Sequence, residues 1–250
     1  MTTGDIQEHA SGKQSTLIFV HGSGDSAKAW SRVLPLLSDI PCRALDLPGH
    51  GAQFERPGPG AMSVADYAAG VRSTLARQGL ENVCVIGHSL GGAIALCMAL
   101  EYPSLVSRIV LVGAGARLRV LPAVLERSRI APAESLRQLM VLGFAPGSEL
   151  QAAEYFERLE PIAPGVVYRD LAACDRFDML GELGRIEQPV LILTGEEDHL
   201  TPPKYAQYLA EHLEHATLRM LPGTGHYATV EAPGTVAAAI REWLAAGASM

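Results

Sequence analysis

The stretch Gly87-His88-Ser89-Leu90-Gly91-Gly92 lies between two apolar runs of different length. Residues 83–86, before it, have the length and composition of a buried strand, and residues 93–100, after it, have those of a helix. The sequence therefore predicts a strand, a sharp turn and a helix, with Ser89 at the apex of the turn. A serine in such a turn adopts a strained backbone conformation, which requires neighbours without side chains two positions away on either side. Gly87 and Gly91 meet this requirement.

The predicted turn also places Ser89 at the amino-terminal end of a helix. There the helix dipole and the free backbone N–H groups favour negative charge, so the arrangement is typical of a serine nucleophile. The motif Gly-x-Ser-x-Gly is weak evidence by itself, because short segments rich in glycine and serine recur in loops. The alternative is a glycine-rich turn that only allows the helix and the strand to pack closely.

Length and charge limit the classes of protein to which the chain can belong. Its 250 residues are enough for a large core and fit one domain with an insertion. The net charge of −7 at pH 7 argues against nucleic acid and anionic membranes as partners, because both bind basic surfaces. Residues 1–14 are polar and no run of 18 apolar residues occurs, so neither a signal peptide nor a membrane span is expected. We expect a cytoplasmic monomer or homodimer that acts on a small molecule.

The cysteines and the other metal-binding residue types indicate neither disulfides nor a metal site. The four cysteines are isolated along the chain, and their spacing matches neither a disulfide framework nor a zinc site. No cluster of histidine, cysteine or carboxylate residues has the spacing of metal ligands. We therefore expect no bound metal and interpret the following as reduced, mostly buried thiols: Cys42, Cys84, Cys97 and Cys174.

Strand and helix patterns alternate along most of the chain, which predicts a mostly parallel sheet covered on both faces. The predicted strands are residues 16–20, 42–46, 83–86, 109–112, 190–194 and 217–221, and the predicted helices between them are 30–37, 63–78, 203–212 and 233–245. Residues 114–183 carry only helical patterns. They are predicted to form a helical cap inserted into an α/β core of residues 1–113 and 184–250, although a peripheral bundle without function is the alternative.

A serine hydroxyl is a poor nucleophile at neutral pH and needs a histidine base that a third group orients. Of the eight histidines, His226 alone follows the final short predicted strand, in a loop at the carboxyl edge of the sheet. Asp198 follows another apolar strand and suits the orienting acid, whereas its rivals Glu196 and Glu197 come earlier in that loop and are expected to be solvated. The chain order Ser89, Asp198, His226 is the one expected when such a turn is used on this kind of sheet. A purely structural His226 is the alternative.

The oxyanion that forms when Ser89 attacks a carbonyl needs two fixed hydrogen-bond donors. The backbone N–H of Leu90 is predicted to be one, because it lies at the start of the helix. The second is assigned to the backbone N–H of Ser23, with Gly24 as the alternative, because residues 21–24 form a turn of small residues after the first strand. A phosphate-binding loop competes for this turn, but the turn lacks the Lys-Ser/Thr ending of a P-loop and the spacing Gly-x-Gly-x-x-Gly.

The chain resembles the α/β-hydrolase superfamily over nearly its whole length, and in particular its carboxylesterase-like members with a helical cap. The resemblance rests on His21-Gly22-Ser23-Gly24, Asp46-Leu47-Pro48-Gly49-His50-Gly51, the stretch 87–92, residues 195–198 and Gly225-His226. It implies an α/β-hydrolase fold, a doubly wound, mostly parallel sheet with a cap, and a catalytic triad of Ser89, Asp198 and His226. It also implies antiparallel edge strands before residue 16, which the short preceding segment is expected to abbreviate.

The resemblance is less specific for the substrate than for the fold. Ser89 argues against dehalogenase and epoxide hydrolase relatives, which carry aspartate at this turn, and Tyr227 argues against hydroxynitrile lyases, which carry lysine beside the catalytic histidine. A serine carboxylesterase is therefore predicted, which hydrolyses short- to medium-chain esters through an acyl-enzyme and needs no metal or organic cofactor. The alternatives are a carbon–carbon bond hydrolase, a lactonase, a thioesterase or a non-catalytic binding protein on the same fold.

The acyl pocket is predicted to be small, because prolines divide the cap segment into short helices. A small pocket favours short acyl chains, and Met140 is expected to form part of its wall. The cap residues proposed for the pocket could equally be ordinary core at helical spacing. The predicted lining residues are Gly24, Met140, Leu142, Phe144, Tyr155, Leu200 and Tyr227.

Overall fold

Six parallel strands form the central sheet in the computed structural model, which describes residues 15–59 and 62–246. Their order in the sheet is β2-β1-β3-β4-β5-β6, and every pairing among these strands is parallel. This confirms the α/β fold with a parallel sheet. The strands are β1 (Leu17–Val20), β2 (Cys42–Leu45), β3 (Val83–His88), β4 (Val106–Val112), β5 (Val190–Gly195) and β6 (Ala216–Leu221).

Helices cover both faces of the sheet. Alternate side chains of each strand point to opposite faces, so neighbouring strand residues belong to different hydrophobic clusters. Ile18 and Val85 belong to one hydrophobic cluster together with α1 and α2, whereas Phe19 and Ile86 belong to a second cluster with α9. The sheet is therefore doubly wound, as predicted. The helices are α1 (Val64–Arg77), α2 (Leu90–Glu101), α3 (Pro122–Ile130), α4 (Pro132–Gly143), α5 (Glu149–Phe156), α6 (Val166–Arg176), α7 (Pro203–His212), α8 (Ala228–Glu231) and α9 (Pro233–Ala246).

The helix predicted for residues 30–37 is wrong. Two short 3₁₀ helices, Ala27–Trp30 and Leu34–Leu37, occupy this segment instead. Pro35 explains the interruption, because it has no backbone N–H to donate and its ring clashes with the carbonyl group four residues earlier. In contrast, Ser63 caps α1 as predicted: its hydroxyl accepts a hydrogen bond from the N–H of Asp66.

The segment between β4 and β5 contains four helices, α3 to α6, and no strand among its described residues, although Arg117 and Asp178 form an isolated bridge. Helix α6 packs in the same hydrophobic cluster as β1, β3 and β5, through Ala173 and Cys174. Helices α4 and α5 contribute to a smaller cluster together with Tyr227 and Val230, and Leu136 of α4 also packs with α6. The cap boundaries at residues 114 and 183 stay a prediction.

Three further findings bear on the sequence predictions. The cysteines are all free thiols, of which Cys84, Cys97 and Cys174 are buried and Cys42 is partly exposed. None of the helices in residues 15–59 and 62–246 combines the length and the apolar character that crossing a bilayer requires. The polar segment 1–14, on which the prediction of no signal peptide rests, lies outside the described residues.

A buried polar network joins α6 to the loop after β2. The guanidinium group of Arg169 donates hydrogen bonds to the carbonyl oxygens of Pro48 (2.5 Å) and Pro57 and, through Nε, to the hydroxyl of Tyr67 (2.8 Å). The Tyr67 hydroxyl in turn donates to Asp170 on α6. Arg169 is 3 % exposed and Asp170 is fully buried, so each of these polar groups depends on its protein partners.

Replacing Arg169 by alanine is expected to destabilise the protein by about 3 kcal/mol, because the buried Tyr67 hydroxyl and two partly buried carbonyl oxygens lose their donor. Urea denaturation measures the change in the free energy of unfolding. Arg176 is the matched control on the same helix, because it donates one hydrogen bond, to Met62 O at 2.9 Å. We expect its replacement by alanine to cost about 1 kcal/mol. Similar losses in the two variants would contradict a special role for the network.

Candidate active site

The turn at Ser89 has the strained geometry that the sequence predicts. Ser89 has φ 53° and ψ −115°, between the end of β3 and the start of α2. A Cβ atom on Gly87 would lie 2.0 Å from the carbonyl oxygen of Gly91, and a Cβ on Gly91 would lie 2.2 Å from that of Val20. Both glycines are needed because backbone atoms, which cannot move aside, occupy the space of a side chain. The turn leaves Ser89 partly accessible to solvent.

Asp198 and His226 form a buried hydrogen-bonded pair at the carboxyl edge of the sheet, in the loops after β5 and β6. The two residues are 1 % and 3 % exposed, and Nδ1 of His226 donates to Oδ2 of Asp198 at 2.9 Å. Thr201 donates its hydroxyl to the same carboxylate oxygen at 2.8 Å. The backbone N–H groups of Leu200 and Thr201 donate to Oδ1 at 2.9 and 2.8 Å. These bonds fix the carboxylate in one orientation toward the histidine.

The electrostatics of the pair keep Asp198 charged. Burial acts to raise the pKa of its carboxyl group, but the nearby His226 and the hydrogen bonds from His226 and Thr201 outweigh burial, so the pKa lies below its ordinary value. An ionised Asp198 holds the histidine proton on Nδ1. Nε2 of His226 is then left as the basic nitrogen.

The end of α4 and the imidazole of His88 hold the His226 loop in place. The backbone N–H of His226 donates to the carbonyl oxygen of Gly143 at 2.5 Å, and a Cβ on Gly225 would lie 2.3 Å from that oxygen. Nε2 of His88 donates to the carbonyl oxygen of His226 at 3.0 Å. Burial and the neighbouring His226 lower the pKa of His88 to about 3, so this second histidine stays neutral. His88 therefore lies beside the candidate base and supports the loop that carries His226.

Ser89 and His226 open on one cavity of about 240 Å³. One side of this cavity is the sheet edge with its loops. The other side is formed by the segment between β4 and β5, including α3, α4 and α6. Most of the lining side chains are apolar, which suits an acyl chain. The apolar lining residues from this segment are Leu118, Val120, Leu121, Val124, Leu136, Leu139, Leu142 and Leu171.

Three of the seven residues predicted for the pocket line this cavity: Leu142, Leu200 and Tyr227. The structure places the other four elsewhere. The side chain of Leu136 covers Gly24, at 2.3 Å from the position of a Cβ. Met140 and Phe144 pack in the cluster that contains Ala152 and Val230, and Tyr155 packs against that cluster, where its hydroxyl reaches Asp25.

The geometry of the two turns bears on the proposed oxyanion donors. Leu90 is the first residue of α2, where a backbone N–H has no partner within the helix. The N–H of Gly24 is directed at Oδ2 of Asp170, at 3.4 Å. Ser23 lines the cavity beside Ser89. This arrangement favours Ser23 over Gly24 as the second donor.

Sequence reasoning did not find most of the residues that line the cavity, among them three polar residues: Thr201, His88 and Asp25. Thr201 had a signal, because a hydroxyl residue three positions after an aspartate often belongs to a turn that the aspartate side chain caps. His88 lies within residues 87–92, but nothing in the sequence pattern indicates its contact with the His226 loop. Asp25 had no signal, since its partner Tyr155 is 130 positions away in the sequence.

Comparison with known proteins agrees with this geometry. The family model described as "Alpha/beta hydrolase family" matches residues 17–239. The chain therefore belongs to the α/β-hydrolase family.

Esterases and a lactonase are among the relatives of this chain. The chain is 30% identical over 229 residues to the pimeloyl-[acyl-carrier protein] methyl ester esterase of Neisseria meningitidis serogroup C, with 83% of this chain and 84% of that protein covered. It is 25% identical to 3-oxoadipate enol-lactonase 2 of Acinetobacter baylyi over 87% of this chain and 84% of that protein. A solved structure of a thermophilic esterase superimposes with a TM-score of 0.76 at 32% identity, and 93% of this chain and 90% of that chain are covered. The protein is thus an α/β-hydrolase that is similar to esterases.

Proposed function

We propose that this protein is a serine carboxylesterase that hydrolyses short- to medium-chain esters. His226 Nε2 takes the proton of Ser89 Oγ as that oxygen attacks the ester carbonyl carbon, and the N–H groups of Leu90 and Ser23 stabilise the oxyanion. The same histidine then gives the proton to the leaving alcohol. In the second half of the reaction, it deprotonates the water that attacks the acyl-enzyme and then gives that proton to Ser89 Oγ as the bond to the acyl carbon breaks and the carboxylic acid leaves.

One observation carries this proposal. A strained serine opens on the same mostly apolar cavity as His226, which is hydrogen-bonded to the buried, charged Asp198. A neutral acyl chain fits the apolar part of this wall, where a charged group would lose its hydration. The similarity to two esterases supports the same reaction class.

A panel of p-nitrophenyl esters of increasing acyl length tests the proposal. Each methylene buried in the cavity is worth about 0.8 kcal/mol, or about fourfold in kcat/KM. We expect kcat/KM to rise over the first few carbons and then to fall, so that the acetate to hexanoate esters exceed the dodecanoate. The absence of turnover on every ester would contradict the proposed function. A steady preference for long-chain triglycerides with activation at an oil–water interface would contradict the proposed chain length.

A lactonase is the second candidate, since the chain is similar to 3-oxoadipate enol-lactonase 2. A lactone is an internal ester, so Ser89 would form the same acyl-enzyme, but the alcohol stays attached to the acyl group. An unsubstituted aliphatic lactone tested beside the open-chain ester of equal carbon number separates the two candidates. A kcat/KM for the lactone that exceeds that for the ester tenfold or more would favour the lactonase.

Leu139 is expected to limit the length of the acyl chain. Leu139, Val124 and Leu142 line both the cavity and an adjacent groove on the outer face of α3 and α4, so they separate the two spaces. Leu139→Ala removes part of this partition and is expected to shift the preferred p-nitrophenyl ester by about two to four carbons toward longer chains. Met140, expected from the sequence to form this wall, packs elsewhere.

Val141→Ala is the matched control for this shift. Val141 is 53 % exposed on the same helix and lines an outer groove with Arg137 and Gln138, apart from the cavity. Its replacement loses the same kind of apolar surface without opening the partition, so the chain-length profile is expected to match that of the unmodified protein. The same upward shift in both variants would show that a looser α4, and not the partition, changes the preference.

A further inference from the structure

The carboxyl group of Asp25 lies in the wall of the cavity but has no part in the proposed catalytic steps. Asp25 is 5 % exposed. Oδ1 accepts a hydrogen bond from the backbone N–H of Ser26 at 2.7 Å, and Oδ2 accepts one from the hydroxyl of Tyr155 at 2.7 Å. A carboxylate has about four acceptor positions. These two bonds thus leave acceptor positions free on a carboxylate that lines the cavity.

The surroundings of Asp25 make its charge costly. Burial raises the pKa of its carboxyl group to about 6, because the hydrogen bonds from Tyr155 and Ser26 offset only part of the lost hydration. Within residues 15–59 and 62–246, no lysine or arginine forms an ion pair with it. A buried carboxyl group with this cost is uncommon in a core and is typical of a site that binds or reacts.

Tyr227 is a second residue with a polar side-chain group in the lining of the same cavity. Tyr227 is 7 % exposed and lines the cavity. Its ring stacks on that of Phe144, with the two centroids 4.8 Å apart. Its hydroxyl makes no hydrogen bond to the described part of the chain. Burial and, after it, the charge of Asp25 raise the pKa of this hydroxyl. Tyr155 lies between the two residues, because its hydroxyl donates to Asp25 and the centroid of its ring is 6.0 Å from that of Tyr227. Asp25 is an acceptor, whereas Tyr227 both donates and accepts.

We propose that Asp25 and Tyr227 form a polar subsite that binds a hydroxyl group of the substrate close to the reacting ester. The substrate hydroxyl donates a hydrogen bond to the Asp25 carboxylate and accepts one from the Tyr227 hydroxyl. The position follows from the chain: Asp25 is two residues after Ser23, a proposed oxyanion donor, and Tyr227 follows His226. The inference rests on the proposed function and adds to it a substrate class, hydroxylated esters.

The two polar groups discriminate because most of the other side chains that line the cavity are apolar. A substrate without the hydroxyl leaves the buried Asp25 carboxylate and the Tyr227 hydroxyl without that partner, which is unfavourable. A site built in this way rejects the analogue that lacks the hydroxyl more strongly than an apolar pocket rejects a change of one methylene.

Two matched pairs of esters test the subsite on the two sides of the ester bond. Methyl 3-hydroxybutyrate against methyl butyrate places the hydroxyl on the acyl side, and 2-hydroxyethyl butyrate against ethyl butyrate places it on the alcohol side. The measured quantity is the ratio of kcat/KM within each pair. We expect this ratio to exceed about tenfold in at least one pair and to fall about tenfold in Asp25→Ala and in Tyr227→Phe.

The ratio separates a binding role from a structural one, because a disturbed active site lowers kcat/KM for both members of a pair. Gln151→Ala is the control: Gln151 on α5 donates a hydrogen bond to Val230 O at 3.1 Å, so its loss loosens the helix that carries Tyr155. The ratio is expected to stay at its original value there. Tyr227→Phe removes a single oxygen atom and keeps the test decisive if Asp25→Ala does not fold.

The outcomes distinguish this inference from the proposed function. Turnover of the plain esters, with ratios near one in both pairs, would overturn the subsite and leave the esterase in place. A ratio that falls equally in Gln151→Ala would also overturn it. The absence of turnover on all four esters would overturn both.

Discussion

Ser89→Ala is expected to lower kcat for ester hydrolysis by roughly 10⁵- to 10⁶-fold. The substitution removes the covalent route and leaves only oxyanion stabilisation and substrate binding, which together give a residual acceleration of roughly 10³ to 10⁴ over water. The fold should be retained, because Ser89 makes no side-chain cap to α2. Steady-state kinetics on p-nitrophenyl butyrate measures the loss.

Ser73→Ala is the control for this substitution. Ser73 is an exposed serine on α1, and its hydroxyl accepts a hydrogen bond from Arg77 at 2.9 Å, far from the cavity. Its kinetics are expected to match those of the unmodified protein. Near-normal activity in Ser89→Ala, in a sample free of other esterases, would rule out Ser89 as the nucleophile.

Asp198→Asn is expected to lower kcat by about 10⁴-fold while the protein stays folded. The amide is similar in size to the carboxylate, but it permits the wrong tautomer of His226 and does not stabilise the imidazolium that forms during the reaction. The acceptor at 2.9 Å from His226 Nδ1 is then no longer charged. The same ester assay measures this loss.

Glu197→Gln is the matched control, because it makes the same chemical change in the same loop. Glu197 is half-buried, and its backbone N–H donates to Thr224 O at 3.0 Å. We expect less than a threefold change in kcat. A damaging Glu197→Gln together with a mild Asp198→Asn would mean that the acid is misassigned within this loop.

The fold and the candidate triad could be predicted because each depends on information that is local in the sequence. The strained turn at Ser89 requires small residues at fixed positions, and Gly87 and Gly91 show this directly. Asp198 and His226 could be found because parallel strands bring the loops at their carboxyl ends to one edge of the sheet. The single helix predicted for residues 30–37 is wrong for a local reason as well, because Pro35 interrupts a helix despite the apolar pattern.

The lining of the cavity could not be predicted, because it depends on how each helix is rotated about its axis. Leu139 and Met140 are adjacent apolar residues of α4, yet Leu139 lines the cavity and Met140 packs against Phe144 and Tyr227. Helical periodicity identifies an apolar face. Helix α4 has apolar neighbours on more than one side, so periodicity does not determine which residues meet the substrate.

The surroundings of Asp25 could not be predicted from the sequence either, because they also depend on tertiary packing. A carboxylate in a turn after a strand is ordinarily solvated, and nothing in the local sequence indicates burial. Its environment arises only when α5 brings Tyr155 to within 2.7 Å and the loop after β6 brings Tyr227 to the same wall. Long-range packing therefore defines the environment of Asp25, whereas local backbone geometry defines the strained turn at Ser89.

Covalent labelling tests most directly whether Ser89 is a nucleophile activated by the Asp198–His226 pair. A fluorophosphonate transfers its phosphonyl group to an activated serine oxygen with loss of fluoride, and mass spectrometry of the digested protein locates the adduct. We predict a single adduct on Ser89, formed in parallel with the loss of esterase activity, and no adduct in His226→Ala over the same time. An adduct on another residue that accompanies the loss of activity, or full activity in protein labelled at Ser89, would contradict this role.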